Sequence, residues 1–239
     1  PGYYSPTDNN TPIAILDSGL AADASLEKFV LSSLDVMAPT APISDTLGHG
    51  TQMALIATGV VKPYGFVDDN DSYIPIIPIR AFDDNGFTTD LMILDAINFA
   101  LENNARILSL SWGSETKSDF MERTLSYAND MGLIIVASAG NEPTGRPVYP
   151  AAYPSVIGIG ALEPHGKTWE NSNFGNFVTL YAPGFALLPV GYKGDPGVYA
   201  GTSISAAFVA NTLAGFLSKN PAATPQEIRN FLQTKFNGS

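Results

Sequence analysis

The stretch from residue 91 to residue 110 reads LMILDAINFALENNARILSL and contains both kinds of element that decide the fold. Its first part predicts an amphipathic helix of about four turns, and its last part, Ile107–Leu110, predicts a short buried strand. The apolar residues at helical spacing are Leu91, Leu94, Ile97, Ala100 and Leu101. A helix followed at once by a mostly apolar strand is typical of an α/β protein.

The same alternation extends over the rest of the chain. Further strands are predicted at residues 13–16, 74–79, 133–137 and 156–159, and further helices at residues 48–61, from Asp119 onward, at 206–217 and after Thr224. Pro75 and Pro78 favour an edge position for the strand at 74–79. Asp119 is predicted to cap the helix that it begins, and Thr224 and Glu227 form a capping box. Mostly apolar strands between amphipathic helices indicate a mainly parallel sheet covered on both faces, an α/β fold with three layers, α/β/α.

Composition limits the classes of function. The chain has 239 residues, of which 45% are hydrophobic and 15% charged, and it is predicted to form one domain over residues 1–239. Its net charge of −11 argues against nucleic acid and anionic membranes as partners. The absence of cysteine excludes disulfides, thiolate zinc sites and a thiol nucleophile, and no apolar run is long enough to span a bilayer.

Four polar clusters follow predicted strands or begin predicted helices, where functional groups gather in such sheets. They contain Asp17, His49, Asn141 and Ser203. Each has an ordinary structural explanation as a turn or helix-capping residue. The chain has two histidines, and His165 lies in a turn-like sequence, so imidazole chemistry would have to use His49.

In this order the clusters resemble the subtilisin-like serine proteases. The matching blocks are Ile15-Leu16-Asp17-Ser18-Gly19, His49-Gly50-Thr51, Ser109-Leu110-Ser111-Trp112-Gly113, Ala139-Gly140-Asn141, Tyr149-Pro150-Ala151-Ala152-Tyr153-Pro154, Ala182-Pro183-Gly184 and Gly201-Thr202-Ser203. They extend over nearly the whole chain, and the resemblance implies the fold of that family.

The resemblance implies a serine endopeptidase with Ser203 as nucleophile, His49 as general base and then acid, and Asp17 as the carboxylate that orients the imidazole. A serine hydroxyl becomes a good nucleophile only when a neighbouring base takes its proton. Asn141 would donate its side-chain amide to the oxyanion, together with the backbone N–H of Ser203. Ser205 is a rival nucleophile, but two residues along a helix it would point about 200° away from Ser203.

The resemblance also implies that a polypeptide substrate binds as an added strand between Ser111-Trp112-Gly113 and Gly86-Phe87-Thr88. The pocket for the residue before the scissile bond would lie between Ser111-Trp112-Gly113 and Ser138-Ala139-Gly140. Val148 stands where many relatives have glycine and should shorten that pocket, while Trp112 and Phe87 are bulkier than usual and would build or block a more distant subsite. We therefore expect cleavage after small or medium uncharged residues.

No cofactor is needed for this chemistry, although many members of the family hold structural calcium. Asp68-Asp69-Asn70-Asp71 concentrates oxygen ligands that calcium prefers. The EF-hand pattern is absent there, so we favour a solvated acidic loop and assign no metal ligand. Family members are commonly secreted and made with an inhibitory propeptide. We accordingly expect an extracytoplasmic protein, a processed or excised catalytic piece, with its own propeptide or a partner segment as a further partner.

Three other interpretations fit the sequence less well. A catalytically idle relative that serves as a binding module is expected to lack at least one of the four chemical side chains, but all four are present here. The Ser-Glu-Asp carboxyl peptidases resemble the sequence around Ser203 but lack a base histidine. A nucleotide-binding protein needs G-x-G-x-x-G, and the stretch beginning Gly158-Ile159-Gly160 lacks the third glycine.

Overall fold

The computed structural model describes residues 11–65 and 73–237. Its strands are β1 (Ile13–Asp17), β2 (Leu34–Asp35), β3 (Ile76–Arg80), β4 (Ile107–Leu110), β5 (Ile134–Ser138), β6 (Val156–Leu162), β7 (Leu180–Pro183), β8 (Phe185–Leu188) and β9 (Gly197–Ala200). Its helices are α1 (Ala24–Glu27), α2 (His49–Ala57), α3 (Asp90–Glu102), α4 (Asp119–Asp130), α5 (Thr202–Lys219) and α6 (Pro225–Asn237). The predicted strands and helices are present, with ends that differ by a few residues.

Seven of these strands form one parallel sheet in the order β2-β3-β1-β4-β5-β6-β7. The central strands are buried on both faces, which explains why they are almost continuously apolar. Strands β8 and β9 form a separate antiparallel hairpin. The predicted fold class, a three-layer α/β/α structure with a mainly parallel sheet, is confirmed.

Helices cover the two faces of the sheet and bury two apolar cores. Helices α2, α5 and α6 contact one face, while α3 and α4 contact the other. Helix α2 is buried along nearly its whole length between the sheet and α5. In the described parts of the chain no helix is both long and apolar enough to cross a membrane.

Strand β3 lies inside the sheet, so the edge position that Pro75 and Pro78 favoured is wrong. The backbone groups of Ile76 and Arg80 face the segment that contains β2, and alternation turns the nitrogen of Pro78 to the same side. Strand β2 has two residues and pairs only with Ile79 and Arg80. The N–H that proline lacks therefore removes no hydrogen bond from the pairing with β1.

Two helix predictions also need correction. In α3 the buried residues include Ile93 and Ala96, whereas Leu91 is 66% exposed, because at about 100° per residue it points to the opposite side of the helix. Helix α4 is capped by Ser118, whose hydroxyl accepts from the N–H of Met121, rather than by Asp119. The capping box of α6 is confirmed.

The fold brings three strand ends to the same edge of the sheet. Strand β1 ends at Asp17, β4 leads into Ser111, and β5 leads through Ser138 to Asn141. The three strands are parallel and stand side by side in the order β1-β4-β5, so these residues lie together at the carboxyl edge of the sheet. The candidate site is built there.

Candidate active site

Asp17 and His49 meet at the carboxyl end of β1. His49 is the first residue of α2, and its Nδ1 lies 2.7 Å from Oδ1 of Asp17. The same carboxylate oxygen accepts the N–H of Ser18 at 2.8 Å, which fixes the Asp17 side chain against its own strand end. Asp17 is 4% exposed. The carboxylate therefore holds the imidazole by one ring nitrogen and leaves Nε2 for another partner.

The surroundings of His49 set its proton affinity. Burial of the ring lowers its pKa, but the charge and hydrogen bond of Asp17 and the charge of Asp45 raise it by more, so the net pKa lies above 6.5. The side chain keeps 22% of its surface accessible. Asp17 and Asp45 therefore favour the protonated imidazole, and Asp17 also keeps the ring oriented.

Ser203 occupies the second position of α5, with Gly201 as the N-cap residue. The positive end of the helix dipole lies at this position, where developing negative charge is stabilised. The Ser203 hydroxyl donates to the carbonyl oxygen of Ser111 at 3.3 Å. Among the hydrogen bonds of the described residues none joins Ser203 to His49. Catalytic hydrogen bonds are often long or misaligned before substrate binds, and a rotation of one side-chain torsion would change the partner of this hydroxyl.

The Asn141 side chain is oriented by Thr202. Its Oδ1 accepts from both the N–H and the hydroxyl of Thr202 at 2.9 Å, which leaves the amide N–H groups as donors. A Cβ placed on Gly201 would lie 3.5 Å from Nδ2 of Asn141 and 3.8 Å from the backbone nitrogen of Ser203. The two nitrogens therefore border the same space next to Gly201.

Two further sequence expectations concern groups outside this cluster. The hydroxyl of Ser205 is buried and donates to the carbonyl of Ala182, whereas that of Ser203 donates to Ser111, so the two hydroxyls point in different directions, as expected. His165 is exposed in a turn. Neither residue has the surroundings that nucleophilic or general-base chemistry requires.

A cavity of about 360 Å³ opens beside Ser203. Its lining residues are Ser111, Trp112, Gly113, Ser114, Glu115, Ser138, Gly140, Asn141, Glu142, Thr144, Val148, Thr202 and Ser203. Most of the residues predicted for the substrate pocket are in this set, but Ala139 is completely buried and lies outside it.

Val148 lies between the two walls of this cavity. One of its methyl groups would be 2.6 Å from a Cβ on Gly113, and the other 3.4 Å from a Cβ on Gly140. The valine side chain thus packs against glycine backbone on both sides. Its position agrees with the expectation that Val148 shortens the pocket.

The second predicted wall of a substrate groove is an exposed turn. Gly86 has φ near +81°, and Phe87 is 72% exposed beside it. Trp112 is half-buried, packs edge-on against Phe82 at 5.4 Å between ring centroids, and donates its indole N–H to the carbonyl of Leu16. Gly86 and Phe87 do not line the cavity, so the structure does not bring them to it.

The acidic segment considered for calcium, Asp68-Asp69-Asn70-Asp71, lies outside the described residues, so the solvated loop remains a prediction. Within residues 11–65 and 73–237 there is no group of three or more histidine, aspartate or glutamate side chains that could hold a metal ion.

Sequence reasoning missed three residues that shape the site. Thr202 holds Asn141, Phe82 packs on Trp112, and Tyr192 from the β8–β9 hairpin lies edge-on to His49 at 5.4 Å. Thr202 could have been noticed as the neighbour of Ser203. Phe82 and Tyr192 carry no local signal, since their contacts come from distant parts of the chain.

Comparisons with known proteins provide a separate set of observations on the chain as a whole. A model of the subtilase family matches residues 8–238. Subtilisin E of Bacillus subtilis (strain 168) is 28% identical over 232 residues, which are 95% of this chain and 61% of the relative. Subtilisin of Bacillus pumilus is also 28% identical over 232 residues, 95% of this chain and 84% of the relative. The chain thus spans 61% of the length of several curated relatives that it matches.

Solved structures have the same fold. Fervidolysin from Fervidobacterium pennivorans, a keratinolytic enzyme related to subtilisin, superposes with a TM-score of 0.77 at 27% identity, over 97% of this chain and 40% of that one. A cold adapted subtilisin-like serine proteinase gives a TM-score of 0.77 at 22% identity, over 98% of this chain and 85% of that one. The second likeness concerns the fold alone.

Proposed function

We propose, since this chain belongs to the subtilase family, that it is a serine endopeptidase that hydrolyses polypeptides through an acyl-enzyme. The observation that carries the proposal is the 2.7 Å contact of His49 Nδ1 with Asp17 at the sheet edge where Ser203 begins α5. A buried carboxylate that holds one nitrogen of an imidazole leaves the other as a base for a nearby hydroxyl.

In the first step the Ser203 hydroxyl turns from Ser111 to His49. Its proton passes to Nε2 of His49 while its oxygen attacks the scissile carbonyl carbon. The resulting imidazolium is stabilised by Asp17, which does not itself take the proton. The charges and hydrogen bond that raise the His49 pKa favour this protonated form.

The negative charge that forms on the carbonyl oxygen needs donors that are already in place. Nδ2 of Asn141 and the backbone N–H of Ser203 border the same space beside Gly201. Thr202 fixes the Asn141 amide before substrate arrives, so no reorganisation is needed when charge develops.

Collapse of the intermediate breaks the peptide bond. His49 gives its proton to the leaving amine, and the acyl group stays on Ser203. Water then attacks the ester with His49 as base again, which releases the acid product and restores the serine hydroxyl. No cofactor enters either half of this cycle.

We further propose that the residue before the scissile bond is small or medium in size and uncharged. The support is the position of Val148, whose methyl groups pack on Gly113 and Gly140 in the cavity beside Ser203. A long side chain would have to displace this valine. The valine bears on the size of this residue only; the preference for an uncharged one is carried over from the sequence expectation, because Glu115 and Glu142 also line the cavity.

We also propose that the protein acts outside the cytoplasm. One relative, 28% identical over 224 residues, is the minor extracellular protease Epr of Bacillus subtilis (strain 168). An inhibitory propeptide or partner segment remains part of this proposal on the ground of the family resemblance.

The test is hydrolysis of an unbiased peptide mixture, with the cut sites mapped by mass spectrometry. The expected result is cleavage after residues such as alanine, serine and valine, with no cleavage by Ser203→Ala. Equal cleavage by that variant would contradict Ser203 as the nucleophile, and no cleavage by the wild-type chain would favour the catalytically idle binding module. A strong preference for arginine or lysine would contradict the proposed pocket.

A further inference from the structure

The carboxylate of Asp45 lies where the end of β1 meets the start of α2. Its Oδ1 accepts from the Ser18 hydroxyl at 2.9 Å and from the N–H groups of Gly48 at 2.8 Å and Leu47 at 3.2 Å. Its Oδ2 accepts from the N–H of Thr51 at 2.8 Å and from the Thr51 hydroxyl at 2.6 Å. Both oxygens therefore accept hydrogen bonds from the segment around His49, and one of them also accepts from Ser18, the residue that follows β1.

A second set of contacts closes the same junction. The Ser18 hydroxyl, which donates to Asp45, accepts the N–H of Gly50 at 2.9 Å. The backbone approach is close, since a Cβ on Gly50 would lie 2.3 Å from the carbonyl oxygen of Gly19. Ser18 follows Asp17 directly, so this junction fixes the distance between the Asp17 and His49 backbones.

We propose that Asp45 is a positioning residue for the general base, which holds the first turn of α2 against the end of β1 so that His49 meets Asp17. The proposal rests on the proposed function, because it needs His49 to act as a base. Asp45 does not line the cavity beside Ser203. It acts through His49 and not on the substrate.

The expected effect follows from geometry. A base transfers a proton only within hydrogen-bond reach, and a shift of about 1 Å can cost about a hundredfold in rate. In Asp45→Asn the new NH₂ group must face either the donors of Thr51 or those of Ser18 and Gly48, so one side of the junction loses its acceptor. We expect kcat to fall by between about tenfold and about a hundredfold, with KM changed by less than about threefold.

The charge of Asp45 gives a second readout. The groups that face or flank His49 are Asp17 from β1, Asp45 from the loop before α2, and Tyr192 from the β8–β9 hairpin, with the Lys193 ammonium over the Tyr192 ring. Asp45→Asn removes one negative charge and leaves the other groups unchanged. The acid limb of the pH profile of kcat/KM should therefore move to lower pH.

Asp84→Asn is the matched control. Asp84 is 60% exposed and accepts from Arg80 and from the hydroxyl of Thr46, the residue after Asp45, but it makes no hydrogen bond to α2. The substitution removes one negative charge, but Asp84 is not among the charges that raise the His49 pKa. It should leave kcat and the acid limb within experimental error of the wild type.

The experiment measures kcat, KM and pH profiles for the wild type, Asp45→Asn and Asp84→Asn, with active sites counted by a fluorophosphonate. Activity of the wild type is established first, so an inactive wild type refutes the proposed function and not the role of Asp45. The positioning role would be overturned if Asp45→Asn melts at a lower temperature but keeps kcat within about threefold of the wild type and leaves the acid limb unmoved. If Asp45→Asn does not fold, Ser18→Ala decides. This variant breaks the junction but keeps the charge, so kcat should fall severalfold with the acid limb unmoved, and an unchanged kcat would overturn the proposal.

Discussion

Val148→Gly should widen the choice of residue before the scissile bond. In the structure the two methyl groups of Val148 lie against Gly113 and Gly140, where a glycine would leave room between the cavity walls. The substitution removes about three carbon atoms, and each buried CH₂ of a substrate that takes their place contributes about 0.8 kcal/mol. A leucine or phenylalanine substrate should therefore gain about 2 kcal/mol relative to alanine, which corresponds to about thirtyfold in kcat/KM.

The assay is kcat/KM for peptides that differ only at the residue before the scissile bond, with alanine, valine, leucine or phenylalanine there. The wild type should favour alanine and valine, whereas Val148→Gly should favour the larger pair. Val178→Gly is the control, since it removes the same atoms from a half-buried loop valine outside the cavity and should leave the order unchanged.

The reasoning fails if Val148→Gly leaves the ratio of phenylalanine to alanine within about threefold of the wild-type ratio. It fails equally if the wild type already prefers phenylalanine. In both cases the cavity beside Ser203 would not receive the side chain that sets specificity.

Three further outcomes are expected. Asn141→Leu should lower kcat by about 10²–10³, the size of effect known for the equivalent donor in a subtilisin. Because Thr202 also loses its acceptor, the melting temperature should fall too. A variant that keeps more than about a third of wild-type kcat would argue against the oxyanion role. The acid limb of kcat/KM should have its midpoint above pH 6.5, because below the raised pKa of His49 the base is protonated and inactive; a midpoint well below 6.5 would contradict this. The raised pKa also stabilises the folded state, and this stabilisation is complete below pH 6.5 and is lost as the pH rises through the pKa of the folded state. Asp35→Ala should lower the free energy of unfolding in denaturant by about 3–5 kcal/mol, because Asp35 is 3% exposed and pairs with Arg80 at 2.8 Å. Asp84→Ala breaks an exposed pair to the same arginine and should lower it by about 0–1 kcal/mol, and equal losses for the two variants would contradict the role given to burial.

The sequence was sufficient to predict the main elements of the sheet and its covering helices, because their apolar patterns are strong and local. Strand Ile13–Asp17 and helix Thr202–Lys219 are examples. The position of Pro78 could not be predicted, since it depends on which neighbour the proline nitrogen faces. The exposure of Leu91 likewise depends on which face of α3 packs on the sheet, and the run of apolar residues at the start of this helix does not specify that face.

The candidate site was predictable where chemistry and motif coincide, as at Asp17, His49 and Asn141. Supporting residues were harder to find. Asp45 is four residues before His49 and is indistinguishable in sequence from a solvated loop aspartate, because its role arises from hydrogen bonds to Ser18 and Thr51. Such contacts become visible only when the strand end and the helix start are placed together.

Covalent capture of Ser203 tests the central claim most directly. The claim is that Ser203, His49 and Asp17, which are far apart in sequence, act as one proton-transfer unit at the edge of the sheet. A fluorophosphonate should label the wild-type chain at Ser203, as located by peptide mass spectrometry, and labelling should be lost in His49→Ala and strongly slowed in Asp17→Asn. Labelling at Ser203 that is equally fast in His49→Ala, or no labelling of the folded wild-type chain, would contradict the account.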